Sequence, residues 1–362
     1  MKYAISLVLV LLFTGKGLSG ETLEPFQIPS LVSSIRLKMP VDFCNEPVPL
    51  GNQQIRERME KEMLLTLWDR PQIILWLKRS KRYLPFIETS LRKHGLPEDL
   101  KYISLIESAL RPHAGSSKGA LGFWQFMPST GRKYGLSINS EIDERRNIFA
   151  STLGAISYFK DLREKFGSWT LAAAAFNMGE LGLEAEIISQ GTDDFYELYL
   201  PLETQRYMFR ILSAKLILSS PETYGFHLKP EDYYPPLQYD KIDIVLDRQT
   251  PIQLISKAAK TTFKTIKDLN PEIRGYHLEK GNHKLLVPKG SAKGFDNRLN
   301  ALLKQWQSNE QKKIHVVKDG ENLSTIAERY NVPLPALLIW NRLNPSKPIH
   351  PGNRIIIAPP HK

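Results

Sequence analysis

From Gln53 to Leu67 the apolar residues Ile55, Met59, Met63, Leu64 and Leu67 recur every three or four positions among charged ones, which predicts an amphipathic helix. Pro71 is placed to open a second helix through Trp76 and Leu77, and Leu84 to His94 predicts a third, ended by Gly95. Pro97-Glu98-Asp99 starts another, with proline in its first turn and acids against its positive end. It carries Leu100, Ile103, Leu105, Ile106 and Leu110 and stops at Pro112. Asn147 to Phe166, Trp169 to Met178 and Tyr199 to Leu218 predict three more. Residues 51–220 therefore read as one nearly all-helical domain.

The pattern then changes. Residues 221–237 are rich in Pro and Tyr and read as a linker. Two units follow with a period of roughly 70 residues. One runs Lys241-Ile242-Asp243-Ile244-Val245, Pro251 to Ile255, Leu269-Asn270-Pro271 and Leu285-Leu286-Val287-Pro288. The other runs Lys313 to Val317, Asn322 to Ala327, Leu343-Asn344-Pro345 and Ile355 to Pro359. Each reads strand, helix, helix, strand, over 238–291 and 312–360, with 292–311 as a polar or helical spacer. The expected fold is mainly α, followed by two small α+β modules of βααβ type.

Composition and charge narrow the setting. The 362 residues are 42% hydrophobic, enough for a sizeable core, and the net charge of +11 favours a polyanionic partner. The basic residues are scattered in ones and twos, which argues against nucleic acid. Residues 1–20 have a secretory signal's layout: Met1-Lys2, an apolar run from Ile5 to Phe13, then small residues to Gly20. The run is too short to span a membrane, and an exported, periplasmic or envelope-associated protein is expected. An irregular lead fills 21–50. The one cysteine, Cys44, cannot pair within the chain and reads as a small buried hydrophobe.

One carboxylate stands out. Glu107 lies in the apolar run Ile103-Ser104-Leu105-Ile106-Glu107-Ser108-Ala109-Leu110. A charge is costly there, so the group should hold its proton longer than in water, as a general acid must. Gly115 to Gly122 is a flexible loop without the Gly-Lys-Ser/Thr of a phosphate loop. The eight histidines are scattered without a His-Glu-x-x-His pair, so no metal or cofactor is expected.

Glu107-Ser108, Gly122-Phe123-Trp124-Gln125-Phe126-Met127-Pro128, Ala175-Phe176-Asn177-Met178-Gly179 and Leu202-Glu203-Thr204-Gln205-Arg206-Tyr207 follow one another in that order. Together they resemble the lytic murein transglycosylases of goose-lysozyme-like fold, over about Phe43 to Leu218 and closest to their membrane-bound D type. The resemblance implies that Glu107 is the single catalytic acid and base. It implies that Ser108 helps to place the substrate or the carboxylate, that Gln125 and Met127 line the sugar groove, that Asn177 is the asparagine of an Ala-Tyr-Asn-x-Gly motif, and that Tyr207 hydrogen-bonds near the glutamate. Phe176 departs from the usual tyrosine and drops its hydroxyl. Trp124, Phe126 and Phe176 read equally as core aromatics or sugar platforms.

The implied reaction is non-hydrolytic cleavage of the β-1,4 bond between N-acetylmuramic acid and N-acetylglucosamine, with the C6 hydroxyl closing a 1,6-anhydro ring. Ordinary glycosidases use two carboxylates. Glu141, Asp143 and Glu144 are the candidates for a second, but their charged neighbourhood reads as solvated surface. Residues 312–360 resemble a LysM module, which implies binding of N-acetylglucosamine polymers near Gly320, Asn322 and Pro351. The earlier unit lacks the matching turn, with Arg248-Gln249-Thr250-Pro251 in its place, and reads as a degenerate copy. The implied partner is therefore the glycan strand of peptidoglycan. A hydrolytic muramidase and an inactive wall-binding scaffold are the rival readings.

Overall fold

The computed structural model describes residues 29–37, 40–310, 314–344 and 347–357. The expected signal, residues 1–20, lies outside them.

A short helix α1 (Leu31–Ser34) and a hairpin of β1 (Asp42–Phe43) and β2 (Glu46–Pro47) lead into the helical body. This lead is less irregular than its sequence suggests: Val41, Phe43, Cys44, Val48 and Leu50 are buried in the same core as the helices. Burial pushes the Cys44 thiol far above its ordinary value, so it behaves as a hydrophobe.

Helix α2 (Gln53–Trp68) turns at Asp69 into α3 (Arg70–Lys93). Two helices were expected over α3, separated before Leu84. One continuous helix with Pro85 inside it is found instead. Ile73, Trp76, Leu77, Leu84, Ile87 and Leu91 are buried along one of its faces, and their packing outweighs the hydrogen bond that Pro85 cannot donate. A 3-10 turn then leads into α4 (Lys101–Ser108), which carries Glu107. Helices α5 (Pro128–Lys133), α6 (Ile148–Phe166), α7 (Trp169–Met178), α8 (Glu180–Gln190) and α9 (Leu202–Ser219) complete the body. Asn147 caps α6 by accepting from the Phe149 and Ala150 amides, and Ser168 caps α7. Helix α8 was not expected; its acidic residues and Gly182 weaken the periodic signal, and only Leu183 of it is buried.

Residues 221–237 are no loose tether. Arg70 stacks over Phe226 at 4.1 Å, the Tyr234 amide donates to Lys78 O at 2.9 Å, and Arg82 Nε donates to Pro235 O at 3.0 Å. The chain is thereby laid along α3.

The middle unit pairs β3 (Tyr239–Leu246) antiparallel with β6 (Gly281–Pro288), and β4 (Thr250–Pro251) with β5 (His277–Leu278). Helices α10 (Ile252–Ala258) and α11 (Phe263–Leu269) pack over them. The expected spacer is corrected here. Helix α12 (Phe295–Glu310) buries Phe295, Leu299, Leu303 and Trp306 in the core of this unit. The last unit pairs β7 (Ile314–Val316) with β8 (Arg354–Ile356) around α13 (Leu323–Arg329) and α14 (Leu334–Asn341). The middle unit is seated on the helical body: the Asp143 amide donates to Glu272 O at 2.8 Å, and the Arg274 amide to Glu141 O at 2.7 Å.

Candidate active site

Helix α4 ends one residue past Glu107. Ala109 and Leu110 take left-handed φ values of 51° and 56°, and the Ala109 amide donates back to Leu105 O at 2.8 Å. The exposed carbonyls at this helix end disfavour a negative charge, as does the apolar packing of Ile103, Leu105 and Leu110. Arg79 and Arg111 answer those carbonyls, donating to Ala109 O at 3.2 Å and Ser108 O at 3.1 Å.

Tyr207, buried on α9, donates its phenol hydrogen to Glu107 Oε1. Burial raises the Glu107 carboxyl to about 7, against the opposing pull of the Tyr207 hydrogen bond and the Arg210 charge, with a further push from Glu203. Burial and the neighbouring carboxylate hold the phenol far above its ordinary value, so Tyr207 stays a donor. Near neutral pH the pair thus offers a carboxyl that can lose or regain a proton beside a donor that keeps its own.

The loop facing α4 is fixed by a turn glycine and by a buried ion pair that the sequence did not announce. Gly122 has φ +83°, and a Cβ there would lie 1.7 Å from Arg145 O, so only glycine fits. Arg145 is buried and bridges to Asp143 through two hydrogen bonds of 2.8 and 2.7 Å. It also donates to Gly119 O at 2.9 Å and Phe126 O at 3.0 Å. The Asp143–Arg145 pair is therefore an internal brace for the loop, and the reading of Asp143 as solvated surface is corrected. A charge-rich stretch such as Asp143-Glu144-Arg145-Arg146 gives no hint of such burial; only the tertiary fold does.

The expected site residues are distributed as follows. Ser108 is buried, its Oγ 2.9 Å from Ser104 O and 2.8 Å from Phe123 O, so its hydroxyl ties the loop to α4 and is not presented to a ligand. Gln125 takes φ 48°, and its Nε2 donates to Ala114 O and Gly122 O at 2.9 and 2.8 Å. Met127, at the mouth of α5, keeps 41% of its surface exposed. Asn177 Oδ1 accepts from Thr204 Oγ1 at 2.9 Å, three residues before Tyr207, which leaves its NH2 as the donor end. Trp124 and Phe126 are core residues: Trp124 is fully buried, with Nε1 donating to Thr152 Oγ1 at 3.1 Å. Phe176 stacks on Phe159 at 4.7 Å, so the ring works in packing.

Residues 85–198 match the family profile of the transglycosylase SLT domain, residues 238–304 that of the LysM-like domain of the lytic transglycosylase MltD, and residues 315–358 that of the LysM domain. The chain therefore carries a transglycosylase SLT domain followed by two LysM-type modules. The membrane-bound lytic murein transglycosylase D of Escherichia coli is 29% identical over 333 residues, 87% of this chain and 72% of that protein. An Alteromonas protein named for tributyltin chloride resistance is 36% identical over 110 residues, 30% of this chain and 53% of its own. A solved structure of an inactive mutant of the lytic transglycosylase Slt from Pseudomonas aeruginosa shares 21% identity, with a TM-score of 0.29 over 41% of this chain and 26% of that one.

The two modules of this transglycosylase share one internal device. Asn270 Nδ2 donates to Ile266 O and Leu286 O, both at 2.8 Å, and its Oδ1 accepts from the Leu286 amide at 2.7 Å. Asn341 repeats this on Leu337 O, Ile356 O and the Ile356 amide, at 2.8, 2.8 and 2.7 Å. The repeat register is thus Asn270 with Asn341, not Asn270 with Asn344 as the Leu-Asn-Pro matches suggest. In the last module Asn322 caps α13 by accepting from the Thr325 amide at 2.9 Å, Gly320 turns at φ +77°, and Pro351 is exposed. Nearby, His315 bridges Glu321 at 2.6 Å and the Tyr330 hydroxyl at 3.0 Å.

Proposed function

We propose that this protein is an exported peptidoglycan lytic transglycosylase in which Glu107 acts as acid and then as base. Protonated Glu107 gives its proton to the glycosidic oxygen between N-acetylmuramic acid and N-acetylglucosamine as the bond from C1 to that oxygen breaks. The neighbouring N-acetyl group steadies the positive charge that develops at C1. The C6 hydroxyl of the muramic ring then bonds to C1 and gives its proton back to Glu107, leaving a 1,6-anhydro end. Tyr207 holds the carboxylate form between the two transfers.

The observation that carries this reading is the Glu107 carboxyl, raised to about 7, whose side-chain hydrogen bond comes from a phenol rather than from a second acid. The sequence's candidates for a second carboxylate are engaged elsewhere. Asp143 is bridged to Arg145, Glu144 accepts from the Ser137 amide at 2.7 Å, and Glu141 pairs with Arg342 at 3.2 Å. A two-carboxylate hydrolysis therefore finds less support.

In this reading Gln125, Met127 and Asn177 border the sugar groove, with Ser108 positioning the loop behind them. Residues 51–220 form the catalytic unit, and the modules hold the wall, the last one through the surface around Gly320, Asn322 and Pro351. The middle module extends through α12. The net charge of +11 suits a wall bearing carboxylates, and residues 1–20 would direct export to the envelope. Glu107→Gln should leave no cleared band in a murein zymogram while the protein still sediments with murein. A cleared band of wild-type strength would overturn the assignment.

A further inference from the structure

A concavity lies between the end of α2, the start of α3 and one face of α9. It encloses about 270 Å3 and is lined by Glu62, Asp69, Gln72, Trp76, Arg206 and Arg210, among others. Two links tie it to Glu107. Arg210, one turn beyond Tyr207 on α9, exerts its charge on Glu107. Arg79, one turn beyond Trp76 on α3, donates to the carbonyl of Ala109, two residues after Glu107.

Two of its donors lack acceptors. Trp76 is only 8% exposed, and neither its Nε1 nor the Nε2 of Gln72 has a hydrogen-bond partner among the described residues. An indole N–H cannot turn into an acceptor, and a buried donor left unpaired costs free energy that native proteins seldom leave unrecovered. The charged groups of the lining balance. Arg206 is held by Glu62 at 2.7 Å, Asp69 caps α3 by accepting from the Gln72 amide, and Arg210 pairs with Glu203 at 3.0 Å. A neutral lining with spare N–H groups suits a neutral acceptor such as an amide carbonyl rather than a carboxylate. The volume lies just below the roughly 300–1,000 Å3 of whole small-molecule sites, so it fits one residue of a longer chain. Gln72 and Trp76 precede the span matched by the SLT domain, residues 85–198, which therefore assigns them nothing.

We propose that this pocket is a sugar subsite that seats one N-acetylated hexosamine of the strand being cut, with its acetamido carbonyl accepting from Trp76 Nε1 and Gln72 Nε2. The proposal rests on the transglycosylase reading above and adds the subsite that anchors the strand. Filling it would fix the register of the strand at Glu107, so binding energy gained there is used to orient the scissile bond.

The test uses the full chain as Glu107→Gln, labelled with nitrogen-15, and follows the indole N–H resonances of its six tryptophans. Trp76→Phe assigns the relevant one. Chitotetraose should move that resonance, and cellotetraose, which lacks acetamido groups, should leave it in place. In the active enzyme, Trp76→Phe and, separately, Gln72→Leu should each raise KM about tenfold, with kcat within about twofold, the loss expected for one hydrogen bond to the substrate. The rise should be equal on peptide-free and peptide-bearing glycan strands. A Trp76 resonance unmoved by saturating chitotetraose overturns the proposal, as does an unchanged KM. A penalty confined to peptide-bearing strands also overturns it, because it assigns the pocket to a stem-peptide carboxylate. If wild-type protein yields no anhydro ends, the transglycosylase reading falls, while the chitotetraose titration still decides the subsite.

Discussion

Tyr207 donates its phenol hydrogen to Glu107 Oε1 across a separation of one hundred residues in sequence, joining the end of α4 to the first half of α9. The bond stabilises the carboxylate form, yet burial wins and the carboxyl stands at about 7. Catalysis that begins with a proton on Glu107 should therefore fade as pH rises through 7. Tyr207→Phe removes the pull that lowers the group, so the alkaline limb of the kcat/KM profile should move to higher pH while the plateau falls. A pH–rate series on both proteins checks this; an unshifted limb would separate Tyr207 from the proton.

The same group links stability to pH. Glu107 holds its proton in the fold up to about 7 but would release it near 4.5 when unfolded. Its contribution is therefore complete below about 4.5 and is lost as pH rises through 7. Glu107→Gln should leave stability near wild type at pH 5 and raise it at pH 8, by up to about 3 kcal/mol at roughly 1.4 kcal/mol per pH unit. Urea unfolding of both proteins at the two pH values measures the difference.

Gly122→Ala puts a Cβ against backbone that cannot yield, at a left-handed φ. It should lower stability by about 3 kcal/mol or more and abolish cleavage, since the loop bearing Gln125 and Met127 must move. Thermal unfolding together with a murein turnover assay reads both effects.

Asp143→Ala leaves Arg145 buried and unpaired, at a cost of about 3–5 kcal/mol. Loss of the bonds from Arg145 to Gly119 O and Phe126 O should also loosen the active-site loop. Proteolysis near Gly115 to Gly122 should accelerate in this variant. A wild-type cleavage pattern would show that the brace is dispensable.

Asn270→Ala and Asn341→Ala each remove three hydrogen bonds, two of which join a module's second helix to its last strand. Each should destabilise its own module by about 2–4 kcal/mol and leave the helical body unchanged. Hydrogen exchange resolved by segment distinguishes local from global loss.

Much of this was legible in the chain, because its signals are local. The apolar setting of Glu107, the 3.6-residue periodicity of α2, α6 and α7, and the strand–helix–helix–strand order of the modules are all short-range patterns. What was hidden depends on contacts distant in sequence. A break was expected before Leu84, and the buried face of α3 runs straight through it. Asp143 and Arg145 looked solvated until the fold closed over them. Phe295, Leu299, Leu303 and Trp306 have helical spacing, but nothing in that spacing names the middle core as their partner. Ser108 was legible as a hydroxyl near the acid, yet its bond to Phe123 O, fifteen residues on, turns it into a loop anchor.

The central claim is that one carboxyl breaks the glycan bond without water. Digesting purified murein in water enriched in heavy oxygen, then reading the muropeptides by mass spectrometry, tests it most directly. The account expects muramic ends one water lighter than hydrolysed ends and free of the label. Muramic ends that carry the heavy oxygen would contradict it.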